Sequence, residues 1–494
     1  MTSPAVTTPI MPDDRGGRVF ARPRWFRTLF LTDVWERFSF YGMQAILVLY
    51  AAAPVAEGGL GLPRATAASL FGVYMAAVFL LALPGGWLGD RVLGLQRAVL
   101  YGAGIIAAGH YCLAVPSRAT SYLGMVLIAV GTGLLKPNMG ALLSRFYGPG
   151  RSAEREAAIS VFYMSVQVSA LFAPLITGLL AESVGWHAGF GAAGIGMTAG
   201  LLQYVAGRRS FGDVGAAPER PADPATLRRV ARRTGYAFAV VAVLVAVDVL
   251  AGTFSAQHAI AGIGLSTFIL PFLAYAALRR NPAVDAPARR RLSTLLLIFL
   301  AAALFWMLVG QAGSLLSLFA KSDVDRDVAG FTVPAGWFQS ATPLFLLLMA
   351  PGFAWLLLRF GSRVTTPAKF SAGLLLAGVS FLVMAMAAGL AVDGPVSPLW
   401  LLAVFAVQAA GELALAPVGI SVAVEAAPES FVAQTVGLWW MFCAFGVGVG
   451  SQLVHLVDAL GDQGYYFVLG TAAVLVAGLL AGGARRLAAG LSAS

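Results

Sequence analysis

Apolar segments long enough to cross a bilayer recur from about Leu29 to Leu487, and that feature alone removes most folds from consideration. A helix needs about 20 mostly apolar residues to span a hydrocarbon core about 30 Å thick, at about 1.5 Å per residue. Breaking the chain at Gly, Pro and charge clusters leaves fourteen such runs. They lie at 27–54, 67–90, 98–115, 121–146, 156–181, 188–207, 234–253, 258–279, 291–320, 333–360, 367–391, 397–426, 431–456 and 463–486. Composition agrees: 11% of residues are charged and 59% apolar, against about 25% and 45–50% in soluble domains. No polar stretch can build a second core; the longest, Arg208 to Arg233, is a linker rich in Pro, Ala and Arg. A soluble enzyme on a membrane anchor is excluded.

The basic residues orient the spans. With the N-terminus in the cytoplasm, 27 of the 33 Lys and Arg fall in tails, cytoplasmic loops or their span ends. Four fall outside (Arg64, Arg118, Lys321, Arg326) and two inside the membrane (Arg37, Lys136). By the positive-inside rule this asymmetry supports an even number of spans with both ends cytoplasmic. The net charge of +10 therefore marks membrane topology and no nucleic-acid partner. Met1 to Arg24 has neither the apolar core nor the small-residue cleavage site of a signal peptide. Cys112 and Cys443 read as small apolar-segment residues, with no disulfide framework or metal-ligand spacing.

The spans have a grammar of six, two and six. The sequence predicts a cytoplasmic tail at 1–26, a six-helix bundle at 27–207, a linker at 208–233, and two extra helices at 234–279. A second linker at 280–290, a six-helix bundle at 291–487 and a tail at 488–494 complete it. Two six-helix halves around a midplane site is a transporter layout. The extra pair looks peripheral to any transport path.

Charges inside a membrane are costly and face a partner or a water-filled cavity. Asp33, Glu36, Arg37, Lys136, Asp248 and Glu412 are the ones here. Asp33, Arg37 and Tyr41 lie at i, i+4, i+8, with Glu36 three residues after Asp33, so all four are expected on one broad helix face. Two carboxylates and one guanidinium carry a net −1 when fully ionised, a cluster suited to taking up and releasing a proton; a static salt bridge is the plainer alternative. Lys136 sits deep in its span within Gly131-Thr-Gly-Leu-Leu-Lys-Pro-Asn138. Glu412 is its counterpart in the second half, in a span expected to break at Pro417. A Lys and an Arg facing a Glu across a cavity suit a zwitterion. Asp248 reads as a lipid-facing or helix-pairing residue, and no histidine is assigned a role. With no phosphate loop, the energy source is an ion gradient.

These residues resemble a known family. Asp33-Val-Trp-Glu36-Arg37-Phe38 is similar to the Glu-x-x-Glu-Arg-Phe motif of the proton-dependent oligopeptide transporters, within the major facilitator superfamily. Gly86, Asp90, Arg91, Gly94 and Arg97 resemble the superfamily's cytoplasmic loop signature, a gating motif. Gly133 to Asn138, Phe162 to Pro174, Phe305 to Ala320, Trp337 to Ser340 and Gly411 to Gly419 resemble further family motifs, in order. The resemblance implies an all-α membrane protein of the major facilitator fold, with two six-helix bundles plus two extra helices. It implies proton coupling by Asp33 and Glu36 with Arg37. Lys136, Arg37 and Tyr41 would hold a peptide's carboxyl side, and Glu412 its amine. Gln44, Gln167, Gln311, Thr342 and Ser421 join the substrate-site residues. Trp306, Trp337 and Trp440 would line side-chain pockets.

The chain departs from the family at several of these positions. Asp33 stands for Glu, Gln44 for a common Arg, Gln167 and Thr342 for two Asn, and Ala416 for Ser. Gly310 stands for an acid that pairs with the first-helix Arg during gating. The expected function is proton-coupled symport of di- or tripeptides or peptide-like molecules by alternating access. The alternatives are a proton-driven exporter of a modified peptide or natural product, and a non-transporting receptor. The protein is expected to be a monomeric bacterial inner-membrane transporter, not an enzyme, needing no metal or cofactor beyond a proton gradient.

Overall fold

The computed structural model describes residues 22–147, 152–219, 221–253, 255–360, 364–428 and 431–492, so most of the tail at 1–26 lies outside it. Apart from a two-residue hairpin, β1 (Asp327–Val328) with β2 (Phe331–Thr332), the regular structure is helical. The first six helices are α1 (Arg24–Ala52), α2 (Arg64–Leu88), α3 (Leu95–Ala114), α4 (Arg118–Arg145), α5 (Ser152–Ser183) and α6 (Trp186–Gly207). Next come α7 (Pro224–Leu250) and α8 (Ala256–Arg279). The rest are α9 (Ala286–Val309), α10 (Leu315–Ser322), α11 (Ala341–Phe360), α12 (Thr366–Leu390), α13 (Leu399–Glu425), α14 (Val432–Leu453) and α15 (Val457–Ser492). By length and composition alone, ten helical segments of the described residues can cross a membrane. α1, α3 and α6 are not among them, and α14 with α15 counts as one segment.

Proline sets several boundaries. Pro54 forces the residue before it out of the helical region, and Ala53, at ψ 142°, ends α1. Pro224 occupies the first turn of α7, where its missing N–H costs nothing. The Asp223 carboxylate accepts from Ala225 N and Thr226 N at 2.9 and 2.8 Å. That cap starts α7 ten residues earlier than the run at 234, and its first turns carry Arg228, Arg229, Arg232 and Arg233. Pro417 does not end its helix as the sequence led us to expect: α13 continues through it to Glu425. Neighbouring helices sustain a proline inside a spanning helix. The seventh core run does break, where a 3₁₀ turn over Gly310–Gly313 separates α9 from α10.

α1 packs on α5 and α6, and α3 on α4 and α6; α12 packs on α13 and α15, and α14 on α9. The two groups meet where α2 lies along α14 and where α5 meets the 335–340 turn and α11. α7 buries no residue, whereas α8 rests on both α2 and α14, bridging the seam between the groups. At the α7–α8 turn Asp248 accepts from Thr253 Oγ1 (2.6 Å) and meets His258 Nδ1 (2.8 Å), so it pairs the two helices.

Small residues carry the helix contacts, because lipid gives apolar side chains no reason to prefer each other and close backbone approach decides packing. A Cβ on Gly446 of α14 would stand 2.0 Å from the Ala303 carbonyl oxygen of α9. One on Gly104 of α3 would meet nothing within 4 Å. Gly446→Ala should destabilise the protein by about 1–3 kcal/mol, the usual cost of overpacking, whereas Gly104→Ala should be neutral or slightly stabilising. Thermal unfolding of both variants in detergent checks this, and equal shifts would refute it.

Candidate functional site

The charges of α1 are shared between two partners. Glu36 and Arg37 are buried (0% and 2% exposed) and form an ion pair with each other. Arg37 also lies 5.3 Å from the Phe40 ring centroid and within hydrogen-bond reach of Tyr41. Asp33 instead accepts a hydrogen bond from Ser165 Oγ of α5. The expected four-residue face is thus divided, with Asp33 held by α5 and Arg37 neutralised by its sequence neighbour. Adjacent helix residues do not normally face each other; here both side chains turn inward, away from lipid, and one Glu oxygen stays buried with no hydrogen-bond partner.

Lys136 lies two-thirds of the way along α4 and is exposed, although Leu135 is fully buried and Asn138 nearly so. Its ammonium lies 5.7 Å from the Phe79 ring centroid and makes no ion pair among the described residues. Phe79, on α2, stacks on Trp440 of α14 with centroids 6.0 Å apart and planes 9° apart. One ring thus joins the cation of the first group of helices to an aromatic of the second. Glu412, half-buried in the middle of α13, also has no ion-pair or hydrogen-bond partner among the described residues. It stands within electrostatic reach of Tyr41 and Tyr163 on the opposite group.

The other expected site residues divide. Gln44 and Gln339 join their side chains at 3.4 Å, and Gln339 also bonds Ser317 Oγ at 3.1 Å. Gln167 is buried and hydrogen-bonded to Tyr163. Trp306 is half-buried, and its indole N–H has no partner among the described residues. Gln311 is buried at the α9 break and donates to Met307 O of its own helix at 3.4 Å. Thr342 is half-buried in the first turn of α11. Ser421 is exposed near the end of α13, roughly 13 Å along the helix from Glu412 at about 1.5 Å per residue. Trp337 is half-buried, and its indole N–H donates to Leu175 O of α5 at 2.9 Å. Tyr163, Phe79 and Gln339 were missed as site residues; the i, i+4 spacing of Tyr163 and Gln167 was a usable signal.

The glycines of the expected gating motif sit at close contacts. A Cβ on Gly86 would lie 3.5 Å from Pro137, and one on Gly94 would lie 2.6 Å from Ala216 O. Asn138 Nδ2 donates to Gly85 O at 2.9 Å, tying α4 to α2. Asp90 and Arg91 lie in the turn between α2 and α3, and Arg91 O accepts from Ala222 N at 3.0 Å. Arg97 is exposed in the first turn of α3. The segment after α6 therefore docks on this turn: Gln96 Nε2 also donates to Gly212 O and Val214 O, both at 2.9 Å.

A latch joins the two groups at one end. Glu182, at the end of α5, accepts from Arg326 Nη1 (3.0 Å), Lys321 Nζ (3.2 Å) and Ala335 N (3.1 Å). Ser340 Oγ donates to Leu171 O (2.7 Å), and Arg64 of α2 pairs with Asp462 (2.7 Å). The α5 face that follows Gln167 is covered by these contacts, whereas one turn earlier Tyr163 is 56% exposed. No cluster of His, Cys, Asp and Glu among the described residues is arranged to hold a metal.

The sequence model of the POT family matches residues 96–468. The chain belongs to the POT family. It is 33% identical over 476 residues to the di-/tripeptide transporter of Lactococcus lactis subsp. cremoris, covering 92% of this chain and 94% of that one. A crystal structure of the peptide transporter POT in complex with sulfate superposes at TM-score 0.92, with 38% identity and 97% of each chain covered. A POT family transporter in complex with 5-aminolevulinic acid superposes at TM-score 0.90, with 31% identity, covering 95% of this chain and 98% of that one. The protein is thus a multi-pass membrane transporter with an all-helical, major-facilitator-like fold, and not an enzyme.

Glu182→Gln removes one charge from three donors. It should move the population towards a state opened at the latch by about 5–30-fold, since a hydrogen bond to a charged group contributes about 1.5–3 kcal/mol, less where partly exposed. Spin-label distances between Glu57→Cys and Asp393→Cys, both exposed at that end, should gain a longer component. An unchanged distribution would show that Glu182 does not hold the latch.

Proposed function

We propose that this POT family member imports short peptides or peptide-like molecules together with protons, by alternating access. What carries this reading is a pair of charges with no ion-pair partner among the described residues, on opposite groups of helices, Lys136 on α4 and Glu412 on α13. A lone charge at membrane depth is expensive, and both become satisfied when a zwitterion lies between them. Lys136 takes the carboxylate, with Arg37 and Tyr41 beside it. Glu412 takes the ammonium, and Tyr163, Trp306 and Trp440 contact the rest. The names of the relatives support a ligand of this type.

Asp33 and Glu36 carry the coupled proton in this reading. Each is tied to a single partner, Ser165 or Arg37, so protonating either frees that partner. We take α1, α3 and α6 as spans beside the ten apolar segments, and α14 and α15 as two, giving fourteen. Helices 27–207 and 291–487 rock as two halves around the site. With both termini in the cytoplasm of a bacterial inner membrane, the latch faces outward and the site opens inward.

Uptake of labelled dialanine into proteoliposomes, with and without an inward proton gradient, tests the reading; equal accumulation in both would refute coupling. Glu36→Gln should abolish gradient-driven accumulation while sparing exchange of bound substrate. Loss of both together would assign Glu36 a structural role only. Glu412→Gln should weaken binding of amine-bearing ligands by about thirty-fold, the effect of removing one partner of a desolvated charge pair, and barely affect N-blocked ligands. If both ligand classes weaken alike, the amine is bound elsewhere.

A further inference from the structure

An open cleft of about 510 Å³ lies where the start of α1 meets the end of α6, lined by Arg24, Val205, Ala206, Arg209 and Ser210. It is remote from Lys136 and Glu412: Arg24 begins α1, and Arg209 lies in the 3₁₀ turn that follows α6. The walls are held rigidly together. A Cβ on Gly207 would stand 2.2 Å from Thr28 Oγ1, and Gln203 Nε2 donates to Thr28 O at 3.2 Å.

Both guanidinium groups are exposed, and neither is in an ion pair among the described residues. Ser210 does not compensate them, because its hydroxyl donates back to Gly207 O at 2.7 Å. The cleft also sits at the start of a 29-residue helix, the positive end of its dipole. Leading away from it along α6 is an exposed apolar stripe: Val205 (46%), Leu202 (64%) and Ile195 (66%). Leu202, Val205 and Arg209 are spaced i, i+3 and i+7, one face of the helix. A forked cationic head above an apolar track at a membrane surface matches a phosphodiester carrying acyl chains, since arginine binds phosphate in a bidentate manner and basic pockets between spanning helices take anionic headgroups.

We infer that this cleft is a binding site for one anionic phospholipid, its phosphate held between Arg24 and Arg209 and one acyl chain laid along Val205, Leu202 and Ile195. The site needs no transport to be occupied, so it stands whether or not peptides are the substrate.

The test is native mass spectrometry of the delipidated full chain in detergent, titrated with phosphatidylglycerol, phosphatidylethanolamine or inorganic phosphate. Phosphatidylglycerol should be retained one per protein, well above phosphatidylethanolamine. In Arg24→Gln/Arg209→Gln that retention should fall roughly thirty-fold, the combined contribution of two basic residues at an anionic surface. Arg280→Gln, an exposed charge after α8, should leave it unchanged. Equal retention of the two lipids by the unaltered protein overturns the proposal without any variant, as does retention unaffected by the double substitution. Displacement of the lipid by millimolar inorganic phosphate would make the cleft a free-anion site and also overturn it.

Discussion

An ionised group inside a low-dielectric slab must find a counter-charge, a hydrogen-bond donor or water, and the functional anatomy of this transporter follows from how each one does so. Arg37 and Glu36 neutralise each other, and Asp33 is held by Ser165. The two left without an ion-pair or hydrogen-bond partner among the described residues, Lys136 and Glu412, lie on opposite groups of helices. Of the satisfied charges, Asp33 ties α1 to α5 through Ser165; the unsatisfied ones are those on which the proposed function rests. Net charge and composition could not make that distinction, because it depends on contacts between residues far apart in sequence.

The same logic explains the basic residues that break the positive-inside pattern. Arg64, Lys321 and Arg326 are among the four placed on the outer side by the topology argument. In the structure Arg64 pairs with Asp462, while Lys321 and Arg326 meet Glu182. Arg118 donates to Leu60 O at 3.2 Å and braces the loop after α1. Residues that look like exceptions to a topological rule are the ones that close one end of the molecule. Such pairs are partly exposed and individually weak, which is consistent with the alternating access proposed above.

Much of this was legible in the sequence. The helix-length apolar runs, the charged first helix, and the motifs around Lys136 and Glu412 all pointed to a peptide transporter of this family. What escaped was decided by tertiary contact. The spacing of Asp33, Glu36, Arg37 and Tyr41 placed them on one face, but it could not show that Ser165 from α5 holds Asp33 while Arg37 pairs with Glu36. Pro417 read as a break, but packing carried α13 through it. The hydrogen bond from the Trp337 indole to a backbone carbonyl of α5 had no sequence signal either. Phe79 gave no signal at all, since a phenylalanine among apolar residues is unremarkable until Lys136 and Trp440 are seen on either side of it.

Gly310 shows how a departure from a family pattern is absorbed. The resemblance implies an acid here that pairs with Arg37 during gating. In this chain a Cβ at 310 would already stand 3.2 Å from Val447 Cγ2, with Ala68, Gly72, Gln311 and Ser451 lining the small space beside it. A longer side chain would have to push α14 away from α2 and α9, where Gly72 and Gly446 allow close approach. With no acid on α9, Arg37 depends on Glu36, a neighbour on its own helix. The ion pair therefore lies wholly within α1, and the contacts that join the two groups of helices are the packing of α2 on α14 and the bonds at Glu182.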